Sequence, residues 1–107
     1  MKIVHPYKIY EVLGSIEKNP KLWLTEKSIT ALQNFINGLL TAKTKDLVYE
    51  KGEPTFDEFK YWILNKNPKI NGIGNPYSRV ILTECDGDEQ KAFDLFFKYL
   101  EEFKINA

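Results

Sequence analysis

The stretch TECDGDEQKAFDLFFKYLEEF, from Thr83 to Phe103, decides the fold, because it joins a helix start signal to a very broad apolar face. At about 100° per residue, its apolar residues fill an arc of roughly 200°, and polar residues occupy the remainder. The apolar set is Ala92, Phe93, Leu95, Phe96, Phe97, Tyr99, Leu100 and Phe103. An arc of this width predicts a C-terminal helix that packs against neighbours on two sides.

The start of this helix is predicted at Asp86, at the head of the sequence DGDE. Asp86 precedes Glu89 by three residues, which is the spacing of a capping box, and acids in a first turn complement the helix dipole. These acids are therefore expected first of all to begin the helix. Residues 79–85 just before them are ambiguous, because their apolar run favours a strand although a lone short strand is unstable. A short helix is the preferred interpretation.

Going further back, the first helix is predicted from about Tyr7 to Lys18, where apolar residues recur at i, i+3, i+4 and i+7. Pro6 suits its first turn, and Asn19-Pro20 ends it, because the residue before a proline avoids the helical region. The segment KLWLTEK that follows is interpreted as a short connection whose apolar residues pack onto the core. Those residues are Leu22, Trp23 and Leu24.

Two more helices are predicted in the middle of the chain. The second runs from about Glu26 to Ala42, with either Thr25 or Ser28 as its N-cap. The third begins at Thr55, because the sequence TFDE fits the S/T-x-x-E capping box. Between them, residues 44–53 are interpreted as a surface loop, and residues 69–78 form a turn-rich segment.

These patterns predict an all-α fold, a single domain over residues 1–107. It would be a bundle of about four to five helices with one broad-faced amphipathic C-terminal helix. The chain has 107 residues and 43% of them are hydrophobic, which is enough for one core.

The charges balance over the whole chain but not along it. The 15 Lys and Arg equal the 15 Asp and Glu, so the basic surplus that nucleic-acid binding needs is missing. From Glu84 to Lys104, seven acids stand against three lysines, a net charge of −4, and the other residues must carry +4. This asymmetry indicates an acidic surface that a partner could read.

The sequence also bears on the compartment. Cys85 is the single cysteine, so no internal disulfide can form, and the first residues show no apolar export signal. No apolar run approaches the roughly 20 residues needed to cross a bilayer. We therefore expect a cytoplasmic protein without a membrane span.

No motif predicts catalysis, a metal or a cofactor. His5 is the single histidine and has no partner that the sequence can assign. Acidic neighbours oppose ionisation of Cys85, which argues against a nucleophile. The DGDE segment fails as a calcium loop, since Lys91 and Phe97 stand where the loop needs a glycine and a glutamate. We expect a protein that is not an enzyme and holds no metal and no cofactor.

The segment SIEKNPKLWLTEKSITALQNFINGLLTA, residues 15–42, resembles a pattern of small bacterial helical proteins, I-x-x-R-P-x-x-Y-L-G-x-x-S-x-x-x-L-x-x-F-x-x-G. Asn19, Trp23 and Thr25 depart from that pattern. The later segment DEQKAFDLFF, residues 88–97, is similar to the group's D-E-x-x-A-x-D-L-F-F motif. The positions that keep the first pattern are Ile16, Pro20, Leu24, Ser28, Leu32, Phe35 and Gly38. This group resembles the immunity-type partners of polymorphic bacterial toxins, and no catalytic residue is carried over.

The expected function is therefore a cytosolic immunity-type protein that neutralises a bacterial toxin by occlusion. Its partner would be a protein, with a basic toxin domain as the expected kind, and neither nucleic acid nor a membrane. The expected contact residues are the acids of the C-terminal stretch and two aromatic anchors: Asp86, Asp88, Glu89, Asp94, Glu101, Glu102, Tyr77 and Trp62. The alternative is a small regulatory or structural protein that acts as a homodimer without a toxin.

Overall fold

The computed structural model describes residues 7–43, 47–49, 52–66 and 76–106. These residues form six helices and one pair of two-residue strands. In chain order the elements are β1 (Tyr7–Lys8), α1 (Ile9–Lys18), α2 (Pro20–Trp23), α3 (Ile29–Lys43), β2 (Leu47–Val48), α4 (Phe56–Lys66), α5 (Tyr77–Glu84) and α6 (Glu89–Ile105). The all-α fold is confirmed, with six helices in the described part rather than four to five. The ambiguous residues 79–85 lie mostly within helix α5.

Helix α6 lies at the centre and packs against α3, α4 and α5. Its broad apolar face is buried, as the sequence predicts. The ring of Phe96 is fully buried and lies 5.4 Å from the ring of Phe59 and 6.0 Å from that of Tyr77, measured between centroids. The buried residues of α6 are Ala92, Phe93, Phe96, Phe97, Tyr99, Leu100 and Phe103. Aromatic side chains therefore supply much of the core.

The start of α4 follows the prediction. The Thr55 backbone N–H donates to Glu58 Oε2 at 2.7 Å, and the Glu58 N–H donates to Thr55 Oγ1 at 3.2 Å, which completes a capping box. At the start of α3, Ser28 rather than Thr25 is the cap, because the Ala31 N–H donates to Ser28 Oγ at 3.0 Å. Both helices begin where a side-chain oxygen satisfies a free backbone N–H.

The predicted start of α6 at Asp86 is wrong by two residues. Asp88 is the N-cap, and its Oδ1 accepts from the N–H groups of Gln90 and Lys91 at 3.1 and 3.0 Å. Asp86 belongs to the preceding turn, where its φ of 53° places it in the left-handed region beside Gly87 at 83°. The capping-box spacing alone cannot reveal that turn, and the start was therefore predicted two residues too early.

The beginning of the chain also differs from the prediction. Tyr7 lies in β1, which pairs in parallel with β2, so that Tyr7 is opposite Leu47 and Lys8 is opposite Val48. Helix α1 therefore begins at Ile9, and part of the expected loop over residues 44–53 is a strand. The predicted role of Pro6 in the first turn, and most of the turn-rich segment 69–78, lie outside the described residues.

The segment KLWLTEK is only partly a buried connection. Residues Pro20–Trp23 form the short helix α2, in which Leu22 is 80% exposed and Trp23 is 40% exposed. Leu24 alone of the three apolar residues is buried, at 6% exposed. In the described part of the chain, no helix has the length and apolar character that a membrane span requires.

Candidate partner-binding surface

An open groove of about 430 Å³ lies between α1 and the C-terminal half of α6. Its floor is apolar and consists of the nearly buried rings of Tyr10 and Phe97 together with Leu100. Polar and exposed residues form its walls. The whole lining consists of Tyr10, Gly14, Glu17, Phe97, Leu100, Glu101, Lys104 and Ile105, and we call it the α1–α6 groove.

The glutamates Glu17, from α1, and Glu101, from α6, both line this groove. Both are exposed, and neither forms an ion pair with another residue in the described part of the chain. The groove can therefore bind an apolar side chain and a cation at the same time.

Tyr10, which lines the groove, is held in place by two contacts. Its hydroxyl donates to the Pro54 carbonyl oxygen at 2.7 Å, and the Lys104 Nζ lies 4.7 Å from the centre of its ring. Burial is the main reason that the pKa of Tyr10 is raised, and the nearby Tyr49, Glu53 and Glu58 raise it further. Tyr10 therefore stays a neutral hydrogen-bond donor that anchors the floor to the segment before α4.

A second concavity of about 170 Å³ continues past Tyr10 and Lys104 and adds Lys8, Glu11 and Glu53 to the surface. Lys8 and Glu11 approach to 4.0 Å. Taken together, the two concavities hold four glutamates and two lysines. This surface is therefore acidic, although the chain as a whole is neutral.

The structure separates the predicted acidic residues into two groups. At the N-terminal end of α6 they have structural roles: Asp88 caps the helix, and Asp86 lies in the turn before it. Glu89 accepts from the Thr30 backbone N–H at 3.0 Å and from Thr30 Oγ1 at 2.8 Å, which ties the start of α6 to the start of α3. These three side chains do not line the groove.

The other predicted acids lie along the outer side of α6. Asp94 forms an ion pair with Lys27, with the Lys27 Nζ 2.9 Å from Asp94 Oδ1. Glu102 is 3.7 Å from the Lys66 Nζ. Of the three acids Asp94, Glu101 and Glu102, Glu101 is thus the one that reaches the groove with its charge unpaired among the described residues.

Of the two predicted aromatic anchors, Tyr77 is buried and Trp62 is half-buried. Tyr77 is 4% exposed, with its ring 5.9 Å from that of Phe56, so it is a core residue. Trp62 is half-buried next to Tyr99 and Phe103, and the Lys66 Nζ lies 4.9 Å from its ring centre. The helical spacing of these aromatics indicated one face but could not show that the face is covered.

Cys85 has no feature of a reactive thiol. Burial raises the pKa of this thiol, and the carboxylates of Glu84 and Asp88 raise it further, so the thiolate is disfavoured. Glu84 also accepts a hydrogen bond from the Tyr99 hydroxyl, which joins the end of α5 to α6. Among the described residues, no cluster of three or more His, Cys, Asp or Glu side chains could hold a metal ion.

Sequence reasoning missed most of the groove. Tyr10, Gly14 and Glu17 come from α1, whereas Glu101, Lys104 and Ile105 come from α6, more than 80 positions later in the chain. One local signal could have indicated this surface. Ile105 is an apolar residue at the end of α6, next to polar residues, and it is 74% exposed.

Comparison with known proteins gives no match. Neither a family model, nor a curated protein, nor a solved structure matches this chain.

Proposed function

We propose that this protein is an immunity-type binding module that neutralises a bacterial toxin by covering part of its surface, without catalysis. The observation that carries the proposal is the α1–α6 groove, whose lining joins apolar side chains to two glutamates that have no ion-pair partner among the described residues. Such a surface suits a partner that presents an apolar side chain flanked by lysine or arginine. Toxins that act on nucleic acid carry basic surfaces of this kind, because they must bind phosphates.

The charge arrangement supports fast and selective association more than high affinity. Complementary fields steer two proteins together, while buried apolar contacts set most of the dissociation rate. Glu17 and Glu101 supply the field at the groove, and Ile105, which is 74% exposed, supplies most of the apolar contact area. Asp94 and Glu102 extend the acidic side of α6, although Lys27 and Lys66 already neutralise part of their charge.

The proposal places the protein in the cytoplasm, where a toxin that has entered or been made in the cell would meet it. The absence of a disulfide from a chain with one cysteine agrees with that compartment. The informative genetic observation is a neighbouring gene for a large secreted protein with a variable C-terminal domain. That C-terminal domain is then the partner to purify.

The test is a titration of this toxin domain with the purified protein by calorimetry. The double variant Glu17→Lys/Glu101→Lys should bind about tenfold more weakly, since two ion pairs worth roughly 0.5–1 kcal/mol each become repulsive. Its association rate should also lose most of its dependence on salt.

The matched control is Glu26→Lys/Asp57→Lys, which changes the net charge by the same amount at exposed positions outside the groove. It should bind as the wild type does. Equal affinity of the groove variant and the wild type would show that the groove is not the toxin-binding surface. An equal loss of toxin affinity in both variants would show that binding depends on net charge alone.

A further inference from the structure

Helix α2 presents an apolar surface that the fold leaves uncovered. Leu22 is 80% exposed, and Trp23 is 40% exposed with one edge held against the ring of Phe35 at 5.9 Å. Lys18 and Lys21 flank these side chains, are exposed, and form no ion pair with another described residue. We call Lys18, Lys21, Leu22 and Trp23 the α2 patch.

The α2 patch carries two lysines, whereas the α1–α6 groove carries two glutamates and one lysine, Lys104, so the two surfaces have opposite net charge. The patch projects two large apolar side chains next to two lysines. The groove is a concave apolar floor next to Glu17 and Glu101, which have no ion-pair partner among the described residues. Docking would bury Trp23 or Leu22 on the groove floor. It would also form two lysine–glutamate pairs between the copies, which join the two lysines of the patch to Glu17 and Glu101.

We propose that the α2 patch of one copy docks into the α1–α6 groove of a second copy, so that the free protein is a homodimer. The chain itself supplies both complementary surfaces, which is why a second copy is the occupant that the charges select. The patch follows the end of α1, and α1 forms one wall of the groove, so the two surfaces are neighbours. A reciprocal contact between such neighbouring surfaces closes into a two-fold dimer.

This inference goes beyond the proposed function and does not depend on it. The dimer forms from the purified chain alone, whereas toxin binding needs the toxin. The two would nevertheless compete, because both use the groove. A toxin would then bind the monomer and draw the dimer apart by mass action.

The first experiment is sedimentation equilibrium of the purified chain from micromolar to submillimolar concentration. We expect the average mass to rise from the monomer value of 12.5 kDa toward twice that value. Leu22→Ser should weaken the dimer by about tenfold or more, since it removes a large apolar side chain from the contact. Tyr61→Ser is the matched control, because Tyr61 is 67% exposed and lies on α4, outside both surfaces.

The second experiment blocks the groove with a side chain on its own lining. A side chain at Gly14 meets no atom within 4 Å, so Gly14→Met projects into the groove without a clash in the fold. It should abolish the dimer. Gly38→Met is its control, because Gly38 is also helical with open space around it but lies on α3 away from the groove.

The third experiment tests the charge pairing directly. One variant carries Lys18→Glu and Lys21→Glu, so that its patch and its groove are both acidic. The other carries Glu17→Lys and Glu101→Lys, so that both are basic. Each variant alone should be monomeric at a concentration where the wild type is dimeric, and an equimolar mixture should form a heterodimer.

A wild-type chain that stays monomeric over the whole range overturns the inference. So does a Leu22→Ser or Gly14→Met variant that dimerises as tightly as the wild type. Failure of the two charge variants to associate when mixed, while each remains folded by circular dichroism, would likewise rule out the patch-to-groove contact. None of these outcomes depends on whether a toxin exists.

Discussion

Two tyrosine hydroxyls in this molecule have opposite environments. The Tyr10 hydroxyl donates to the Pro54 carbonyl oxygen at 2.7 Å. The Tyr77 hydroxyl is buried and has no hydrogen-bond partner among the described residues. A buried polar group without a partner costs about 1–3 kcal/mol relative to water, whereas a satisfied one contributes modestly to stability. The same atom type is therefore stabilising at one position and destabilising at the other.

The first prediction concerns Tyr77. Tyr77→Phe removes the unpaired hydroxyl and keeps the ring that packs on Phe56 and Phe96. We expect the free energy of unfolding to rise by about 1 kcal/mol, because the desolvation penalty disappears. Urea unfolding followed by circular dichroism at pH 7 measures it.

Tyr10→Phe is the control for this substitution. It should lower the free energy of unfolding by about 1 kcal/mol, since the Pro54 carbonyl loses its donor. If Tyr77→Phe proves as destabilising as Tyr10→Phe, the Tyr77 hydroxyl has a partner and its description as unsatisfied is wrong.

At the scale of the elements, the sequence predicts correctly the features that depend on residues close together in the chain, such as helix caps and the apolar face of one helix. The capping box at Thr55 and Glu58 is formed as the sequence indicates, because each partner is three residues from the other. The broad apolar face of α6 is likewise a property of one helix. The sequence left Thr25 and Ser28 as alternative caps because both can accept a backbone N–H; the structure shows the bond at Ser28.

What the sequence could not show depends on contacts between distant positions. Strands β1 and β2 have two residues each, too few for an alternating pattern, and they pair across 40 positions of the chain. The exposure of Leu22 is a similar case, since an apolar side chain in sequence looks the same whether or not a neighbour covers it. The groove lies between α1 and α6 and exists only in the folded chain.

The second prediction concerns the glycines of two different elements. Gly14 lies inside α1 with open space around it, so Gly14→Ala should raise the free energy of unfolding by about 0.5–1 kcal/mol, because alanine loses less conformational entropy in a helix. Gly87 has a φ of 83° in the turn before α6. Gly87→Ala should lower the free energy of unfolding by about 1–2 kcal/mol, the cost of a side chain in the left-handed region.

Thermal and urea unfolding of both variants measure these opposite effects. The pair is a strict test of the two backbone assignments, since the chemical change is the same methyl group. A loss of stability in Gly14→Ala would contradict the assignment of Gly14 to a helical position with free space for a side chain.

At the scale of the whole molecule, α6 connects three of the other helices. It is packed on α3, α4 and α5, and Glu89 and the Tyr99 hydroxyl add polar connections to α3 and to the end of α5.

Three buried tyrosines, Tyr10, Tyr77 and Tyr99, have pKa values above the ordinary tyrosine value, chiefly because burial disfavours the charged phenolate.

The third prediction follows from these pKa directions. Because burial disfavours the charged phenolate, the fold keeps its full stability below the unfolded tyrosine pKa of about 10 and loses stability as the pH rises above it. We therefore expect the free energy of unfolding to fall above about pH 10. For Tyr77 alone, the loss approaches about 1.4 kcal/mol for each pH unit.

Urea unfolding at several pH values between 8 and about 11.5 measures this alkaline loss. The Tyr77→Phe variant should show a shallower decline than the wild type, because one titrating phenol is gone. Identical slopes in the two proteins would mean that Tyr77 ionises as easily in the folded chain as in the unfolded one.

The placement of the two tryptophans gives the protein a pair of independent optical reporters. Trp62 stacks on Phe59 at 6.2 Å between ring centres and contacts the core, whereas Trp23 is partly open to solvent on α2. The fluorescence of a Trp23→Phe variant should follow unfolding of the helical core alone. The fluorescence of a Trp62→Phe variant should instead shift when the α2 surface is covered, so that one spectrometer can observe stability and association separately.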